Sequence, residues 1–293
     1  MKGYKIAGHP VYINFSDCTV NEKLLPNLSP FEYDGEEPPI LTVNIIEDYT
    51  WDQDSKEIGL FDVGGCSHGV SRNSDGGYRF DIFNIDNRIC ARMHSNPDFS
   101  ICYVKVYEGT AAQNIYGLNN CLMIAYAFAT ATMDTLLIHS SVIRCDGKGF
   151  LMTAPSGTGK STHTHLWYTT IPGCDLMNDD NPIIRVIDGR PFVYGSPWSG
   201  KTPCYRNIEA PIGAIVRIMQ HHENIIRRLG AVESFTALLP ACSNMKWDAR
   251  VYNGICDSIT KIIQTCGIWE LKCLPNNEAA ILCHDTICKK SHT

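Results

Sequence analysis

Residues 154–161 read APSGTGKS, a spacing of glycines, lysine and serine that suits the binding of a phosphate chain. A short apolar run at 149–153 predicts a strand before this segment, and the residues after it predict the start of a helix. A strand, a glycine-bearing turn and a helix in this order form a P-loop, here with Ala154 where the first glycine usually stands. An ordinary strand-to-helix loop is the alternative, and the complete Lys-Ser ending argues against it.

Each residue type in this loop has a chemical reason. Gly157 and Gly159 let the backbone bend so that N–H groups point inward, and the helix N-terminus adds a partial positive charge. We expect Lys160 to reach the β- and γ-phosphates and Ser161 to bind Mg²⁺, so the expected ligands are ATP and Mg²⁺. The residues predicted to contact them are Ser156, Gly157, Thr158, Gly159, Lys160, Ser161 and Thr162.

The composition limits the classes of function. The chain has 293 residues, 44% hydrophobic and 19% charged, which is typical of a globular protein. A net charge of −6 argues against nonspecific nucleic-acid binding, which needs a basic face. The N-terminus lacks the pattern of a signal peptide, and the most apolar segment, 121–133, is too short to span a bilayer. We therefore expect a cytoplasmic protein without a membrane partner.

The fourteen cysteines are scattered singly, without a CxxC pair. This spacing predicts reduced, mostly buried thiols rather than a disulfide framework. Cys283, His284, Cys288 and His292 crowd the C-terminus, but their spacing fits no familiar zinc pattern.

The first half of the chain is strand-like. Turn-forming residues separate runs that predict strands at 4–15, 41–46, 78–85, 88–94 and 100–107. Segment 27–39 is rich in proline and acidic residues and predicts an exposed loop. We therefore expect an antiparallel, β-rich N-terminal lobe at residues 1–110.

The second half, 111–293, mixes helices and strands. An apolar helix is predicted at 114–132, and strands are predicted at 136–143, 149–153, 174–177, 183–187, 191–194, 214–219, 225–229 and 268–273. Helices are predicted at 160–168, 232–240, 247–265 and 277–287. Asp-Gly turns at 146–147 and 188–189 predict hairpins on either side of the P-loop. This pattern predicts an α/β fold with a mixed sheet, unlike the parallel sheet of ordinary P-loop proteins.

Four segments in this half occur in a recognisable order: LIHSSVI, APSGTGKST, MNDDNPIIR and GSPWSGK. Together they resemble the catalytic domain of HPr kinase/phosphorylase and, more distantly, ATP-dependent phosphoenolpyruvate (PEP) carboxykinase. The resemblance implies a PEP-carboxykinase-like nucleotide-binding catalytic domain at 111–293. A further glycine- and arginine-containing signature of HPr kinase is missing, so the resemblance does not extend to the reverse, phosphorylase reaction or to HPr as acceptor. The oxaloacetate site of the carboxykinase is also missing, so decarboxylation is not expected.

The resemblance also implies roles for three residues. His139 falls where the family has a histidine beside the phosphates or the metal, although a buried core histidine is the alternative. Asp179 and Asp180 fall on the family's paired carboxylates, one suited to hold Mg²⁺ and the other to take a proton from a hydroxyl. By resemblance, Asp179 is assigned as the base and Asp180 as the metal ligand, an order that could be reversed. We expect their side chains to point to opposite sides of a strand.

The segment 195–201 has two interpretations. Lys201 and the turn before it would form a second anion site and neutralise charge on the transferred group. Alternatively, Pro197 and Trp198 pack in an ordinary turn and Lys201 is solvated. Arg206, Arg227 and Arg228 are further candidates for phosphate or acceptor contacts.

These observations lead to two hypotheses. The first is an ATP-dependent, Mg²⁺-requiring kinase that acts on a hydroxyl, either a serine of a protein or peptide or a small molecule, with Lys160, Asp179, His139 and Lys201 in catalysis. The alternative is a nucleotide-sensing regulatory protein, or an ATPase, without phosphoryl transfer. The sequence is compatible with a homo-oligomer.

Overall fold

The chain divides into two units in the computed structural model, which describes residues 1–16, 20–62, 65–200 and 202–288. The units are Met1–Thr130 and Ala131–Thr293, whereas the sequence placed a boundary after residue 110. Helix α1 (Ala111–Ala129) accounts for the difference, because it packs on strands of the first unit. A capping box between Thr110 and Gln113 starts this helix.

Eight strands of the first unit form one sheet within the described residues. They are β1 (Lys2–Ile6), β2 (His9–Phe15), β3 (Leu41–Ile45), β4 (Lys56–Asp62), β5 (Ser67–Arg72), β6 (Tyr78–Phe83), β7 (Ile89–Ser95) and β8 (Ile101–Val106). Their order is β1-β2-β3-β8-β7-β6-β5-β4. This unit is β-rich, and α1 covers β6, β7 and β8.

Three details of this unit differ from the sequence expectations. The sheet is mixed rather than antiparallel, because β3 pairs in parallel with both β2 and β8. Strands β4 and β5 were not predicted; β4 is mostly exposed and lacks an alternating apolar face. Segment 27–39 is not entirely an exposed loop, because a 3₁₀ helix at Pro26–Phe31 buries Leu28 and Phe31.

The second unit contains nine strands and four α-helices in its described part. The strands are β9 (Thr135–Leu137), β10 (Ser140–Cys145), β11 (Lys148–Thr153), β12 (Asp175–Asp180), β13 (Ile183–Ile187), β14 (Arg190–Tyr194), β15 (Glu209–Gln220), β16 (Ile225–Arg228) and β17 (Gly267–Cys273). The helices are α2 (Lys160–Thr170), α3 (Ala231–Leu238), α4 (Ala249–Thr265) and α5 (Asn277–Ile287). Both predicted hairpins, β10–β11 and β13–β14, are present.

The sheet of the second unit is mixed, which confirms the predicted α/β class. The strands run in the order β12-β10-β11-β15-β14-β13-β9, and β17 joins β15 to β16. Strand β15 is parallel to β11 and β17, whereas the hairpins are antiparallel. Helices α2 and α5 cover one face of the sheet, and their core includes Phe150, Met152, Trp167, Val216 and Leu271.

The cysteines are mostly buried thiols, as predicted, with one exception. Cys145 at the end of β10 and Cys174 before β12 form a disulfide, with their Cα atoms 4.4 Å apart. The expectation of reduced thiols is therefore wrong for this pair, because β10 and β12 are adjacent and bring two residues that are distant in sequence to disulfide distance. Over the ranges that the structure describes, no helix is long and apolar enough to cross a membrane.

Candidate functional site

The predicted P-loop connects the end of β11 to the start of α2. Gly157 and Gly159 have φ angles of +77° and +115°, values that glycine adopts readily. The Thr158 N–H donates to the Pro155 carbonyl at 3.2 Å, which closes the turn. Ser156 and Gly157 lie exposed at the tip, and no atom lies within 4 Å of a Cβ built on either positive-φ glycine. The loop therefore presents backbone to open space at a helix N-terminus.

Lys160 is the first residue of α2 and is buried, with 8% of its surface exposed. Its Nζ donates to the Ala154 carbonyl at 3.1 Å and lies 2.9 Å from Nε2 of His139. Burial lowers the pKa of the ammonium below its usual value, and the charges of Asp180 and Asp179 oppose this shift. A buried ammonium is stable only where such partners offset its desolvation.

His139 occupies the break between β9 and β10, where the sequence predicted one continuous strand. Its backbone N–H donates to the Ala241 carbonyl at 2.7 Å. Its Nε2 lies 3.0 Å from Oδ1 of Asp180 as well as 2.9 Å from Nζ of Lys160. One ring nitrogen cannot accept a proton from the lysine and donate one to the carboxylate at once, so His139 can alternate between these partners. Its side chain is 36% exposed, unlike that of a fully buried core residue.

Asp179 contacts the P-loop serine. Its Oδ1 accepts a hydrogen bond from Ser161 Oγ at 3.0 Å, and the residue is 4% exposed. Strand pairing sets this contact, because Asp179 lies opposite Ser141 of β10 on the face that α2 covers. The carboxylate and the hydroxyl thus form a pair of oxygen ligands beside the first turn of α2.

Asp180 does not point to the opposite side of the strand, as alternation predicted. Its φ angle is +132°, outside the β region. This local rotation brings its carboxylate to His139 and, like that of Asp179, near the charge of Lys160. The side chain is 36% exposed, and its Oδ2 accepts a hydrogen bond from Asn181 at 2.8 Å. The two carboxylates therefore converge, but the one on Asp180 is the more accessible.

The segment 195–200 packs against the end of β12. Pro197 and Trp198 are buried, as one interpretation predicted. Ser199 Oγ donates to the Asp179 carbonyl at 3.0 Å, and the Gly200 N–H donates to the same carbonyl. The Gly200 N–H is therefore not available to a second anion site, because a strand carbonyl already accepts it. Lys201 lies outside the described residues, as does His292.

The arginine candidates are mostly engaged in ion pairs away from the P-loop. Arg206 pairs with Asp175 at 2.7 Å, at the opposite end of β12 from Asp180. Arg227 pairs with Glu233 and Glu270 at 2.9 and 3.1 Å. These pairs favour a structural interpretation of both residues over a phosphate contact.

Two residues that the sequence analysis did not single out support the site. Asn178 is fully buried, and its Nδ2 lies 3.2 Å from Ser196 Oγ and 3.4 Å from the Ser196 and Trp198 carbonyls. Gln220, at the end of β15, donates from Nε2 to the Thr158 carbonyl at 3.2 Å. The asparagine directly before the two aspartates of MNDDNP was the available signal for Asn178. No sequence signal pointed to Gln220, whose position depends on the pairing of the strands.

No family model matches the chain, and no curated protein matches it. Among solved structures, the chain is similar to the HPr(Ser) kinase/phosphatase from Coxiella burnetii. The two are 10% identical over 52% of this chain and 93% of that chain, with a TM-score of 0.31.

The donor set of the site fits a magnesium-bound nucleotide. Mg²⁺ prefers oxygen ligands, and the Ser161 hydroxyl and Asp179 carboxylate are oxygen donors held 3.0 Å apart. The open space at Gly157 and Gly159 adjoins the N-terminus of α2, where backbone N–H groups and the helix dipole favour an anion.

Proposed function

We propose that the second unit is an ATP-dependent, Mg²⁺-requiring phosphotransferase that acts on a hydroxyl. The observation that carries this proposal is the convergence of Lys160, Ser161, Asp179, Asp180 and His139 at the helix end of the P-loop. A loop that only held phosphates would need no second, accessible carboxylate beside it. The acceptor would be a serine of a protein or peptide, or a small molecule that carries a hydroxyl.

The contacts support a division of labour between the two aspartates that reverses the assignment made from the resemblance. Asp179 is buried against Ser161, so it suits the metal side of the site. Asp180 is half-exposed and contacts a histidine, so it suits the removal of a proton from an entering hydroxyl. Mg²⁺, when bound, would neutralise charge on the phosphates.

In the proposed reaction, the acceptor oxygen forms a bond to the γ-phosphorus of ATP while the bond between that phosphorus and the β,γ-bridging oxygen breaks. Asp180 takes the hydroxyl proton, and ADP carries away the bridging oxygen. The Lys160 ammonium stabilises the negative charge on the phosphates. His139 holds the Asp180 carboxylate in place. Lys201 remains a predicted participant.

The test uses labelled ATP and fractionated cell extract. The wild-type protein is expected to label a component of the extract and to release ADP in an acceptor-dependent manner. Lys160→Ala is expected to abolish labelling while circular dichroism shows an intact fold. The matched control is Lys148→Ala, which removes an exposed lysine at the other end of β11.

Other results would change the conclusion. Labelling that survives in Lys160→Ala would refute the mechanism. ADP release without any acceptor dependence would identify an ATPase, and ATP binding without ADP release would identify a nucleotide sensor.

A further inference from the structure

The turn that follows β15 carries three consecutive side chains able to bind a metal. They are His221, His222 and Glu223, and one ligand atom from each lies within 4.8 Å of the others. The two imidazole rings stack with their centroids 4.1 Å apart. Neither the P-loop nor the proposed phosphoryl transfer uses these residues.

This turn is fixed to the fold at both ends. The His221 backbone N–H donates to the Cys273 carbonyl at 3.0 Å. Asn224 accepts from the Leu274 N–H at 2.9 Å and donates to the side chain of Asn276 at 3.1 Å. Because Asn276 also caps helix α5, the turn is a rigid support for the ligand side chains rather than a free loop.

The first imidazole is also oriented. His221 Nδ1 lies 3.1 Å from the Glu223 N–H and 3.2 Å from the Glu223 carbonyl, so the backbone of Glu223 holds this ring in either tautomer. In the tautomer with a proton on Nδ1, the ring donates to the carbonyl. A backbone carbonyl behind one ring nitrogen is the usual support for a metal-bound histidine, because it leaves the lone pair of Nε2 for the metal.

We propose that His221, His222 and Glu223 form a binding site for a zinc-class divalent ion. Two imidazoles and one carboxylate match the three-ligand sets that bind Zn²⁺ and leave further positions open, whereas Mg²⁺ prefers oxygen alone. Tetrahedral Zn²⁺ ligands lie about 3.3 Å apart, so the atoms need to approach by at most about 1.5 Å. The exposed side chains of His222 and Glu223 can do this by rotating.

The site adjoins the P-loop. Gln220, the residue before the site, donates to the Thr158 carbonyl of the P-loop at 3.2 Å. Zn²⁺ bound to the turn is therefore coupled to the P-loop through this hydrogen bond. Zn²⁺ would change the affinity for the nucleotide, and the nucleotide would change the affinity for Zn²⁺ by the same factor. This coupling rests on the proposed function, whereas the metal site itself does not.

The first experiment titrates tag-free, full-length protein with Zn²⁺ in a calorimeter, with excess Mg²⁺ and without nucleotide. The wild type is expected to show one binding event that the double variant His221→Ala/His222→Ala lacks. Glu223→Gln is expected to weaken this event by about tenfold or more. His165→Ala, which removes an exposed histidine of α2, is the matched control and should leave it unchanged. Equal Zn²⁺ stoichiometry and affinity in the wild type and the folded double variant would overturn the proposal.

The second experiment measures the affinity of a fluorescent ADP analogue with and without Zn²⁺. A change of about fivefold is expected in the wild type and not in Gln220→Ala, whose ligands for Zn²⁺ are intact. The same analogue affinity with and without Zn²⁺ would overturn the coupling. If the analogue does not bind at all, the proposed function fails while the first experiment still decides the metal site.

Discussion

The pair of variants Asp179→Asn and Asp180→Asn separates the metal ligand from the base. Both substitutions keep the shape of the side chain and remove its charge. Asp179 accepts a hydrogen bond from Ser161 at 3.0 Å. A hydrogen bond to a charged group contributes about 1 kcal/mol more than a neutral one, so losing this contribution alone weakens the Ser161–Asp179 pair about fivefold. The lost metal ligand adds to this effect.

For Asp179→Asn we therefore expect the Mg²⁺ concentration at half-maximal activity to rise at least about fivefold. For Asp180→Asn we expect an unchanged Mg²⁺ requirement and a fall in kcat of about 10²–10⁴-fold, the usual contribution of a general base. The assay is phosphoryl transfer at saturating ATP over a series of Mg²⁺ concentrations.

The reverse pattern would refute this reasoning. If Asp180→Asn raised the Mg²⁺ requirement and Asp179→Asn lowered kcat alone, the assignment made from the resemblance would be correct. If both variants transferred phosphate like the wild type, the proposed function would be wrong.

Three further predictions concern stability, each measured by urea unfolding. Asn178→Ala is expected to lower the free energy of unfolding by about 2–3 kcal/mol, because its buried partners lose their hydrogen bonds. The control, Thr169→Ala at an exposed position, should change it little. Equal stabilities of the two variants would contradict the role of Asn178. Burial lowers the pKa of His163 to about 4. The unfolded chain therefore binds more protons than the folded one between pH 4 and 6.5. The free energy of unfolding falls by at most about 3 kcal/mol as the pH drops through that window. His163→Gln should make the free energy of unfolding less dependent on pH between pH 7 and 5. Identical slopes in the variant and the wild type would refute this prediction. Gly254→Ala should destabilise the protein by about 1–3 kcal/mol although alanine favours helices more than glycine, because the new Cβ would lie 2.3 Å from the Ala131 carbonyl. The control is Gly230→Ala, where the atom nearest to a Cβ lies at 3.7 Å. A stabilised Gly254→Ala variant would contradict the clash.

Local chemistry explains what the sequence predicted well. The hairpins at 146–147 and 188–189 follow from Asp-Gly pairs, in which both residues have positive φ. Helix α5 was predicted with its observed bounds, because Asn276 is a strong N-cap and the residues after it form helices readily. The strand, turn and helix around residues 154–161 were predicted for the same reason, since Gly157 and Gly159 mark the turn.

Long-range pairing explains what the sequence missed. The parallel neighbours of β3 and the disulfide between Cys145 and Cys174 depend on which strands lie side by side. The break of the predicted strand 136–143 at His139 depends on the backbone bond to Ala241, about a hundred residues later. No local pattern contains this information.

The backbone at Asp180 connects the fold to the proposed chemistry. A non-glycine residue at φ +132° costs about 1–3 kcal/mol and persists only where its surroundings hold it. Here Ser199 forms a β-bridge with Asp180, and the Gly200 N–H is bonded to the preceding carbonyl. A Cβ at Gly200 would lie 3.1 Å from the Asp180 Cβ, so the close approach favours glycine at this position.

The segment 195–200 thus supports the two aspartates. Without the rotation at Asp180, strand alternation would turn one carboxylate away from Lys160. With it, a buried carboxylate and an accessible one lie near the same ammonium, in contact with different partners. Two carboxylates in such unlike environments can have unlike roles, which is why the experiment on Asp179 and Asp180 tests the fold and the proposed mechanism together.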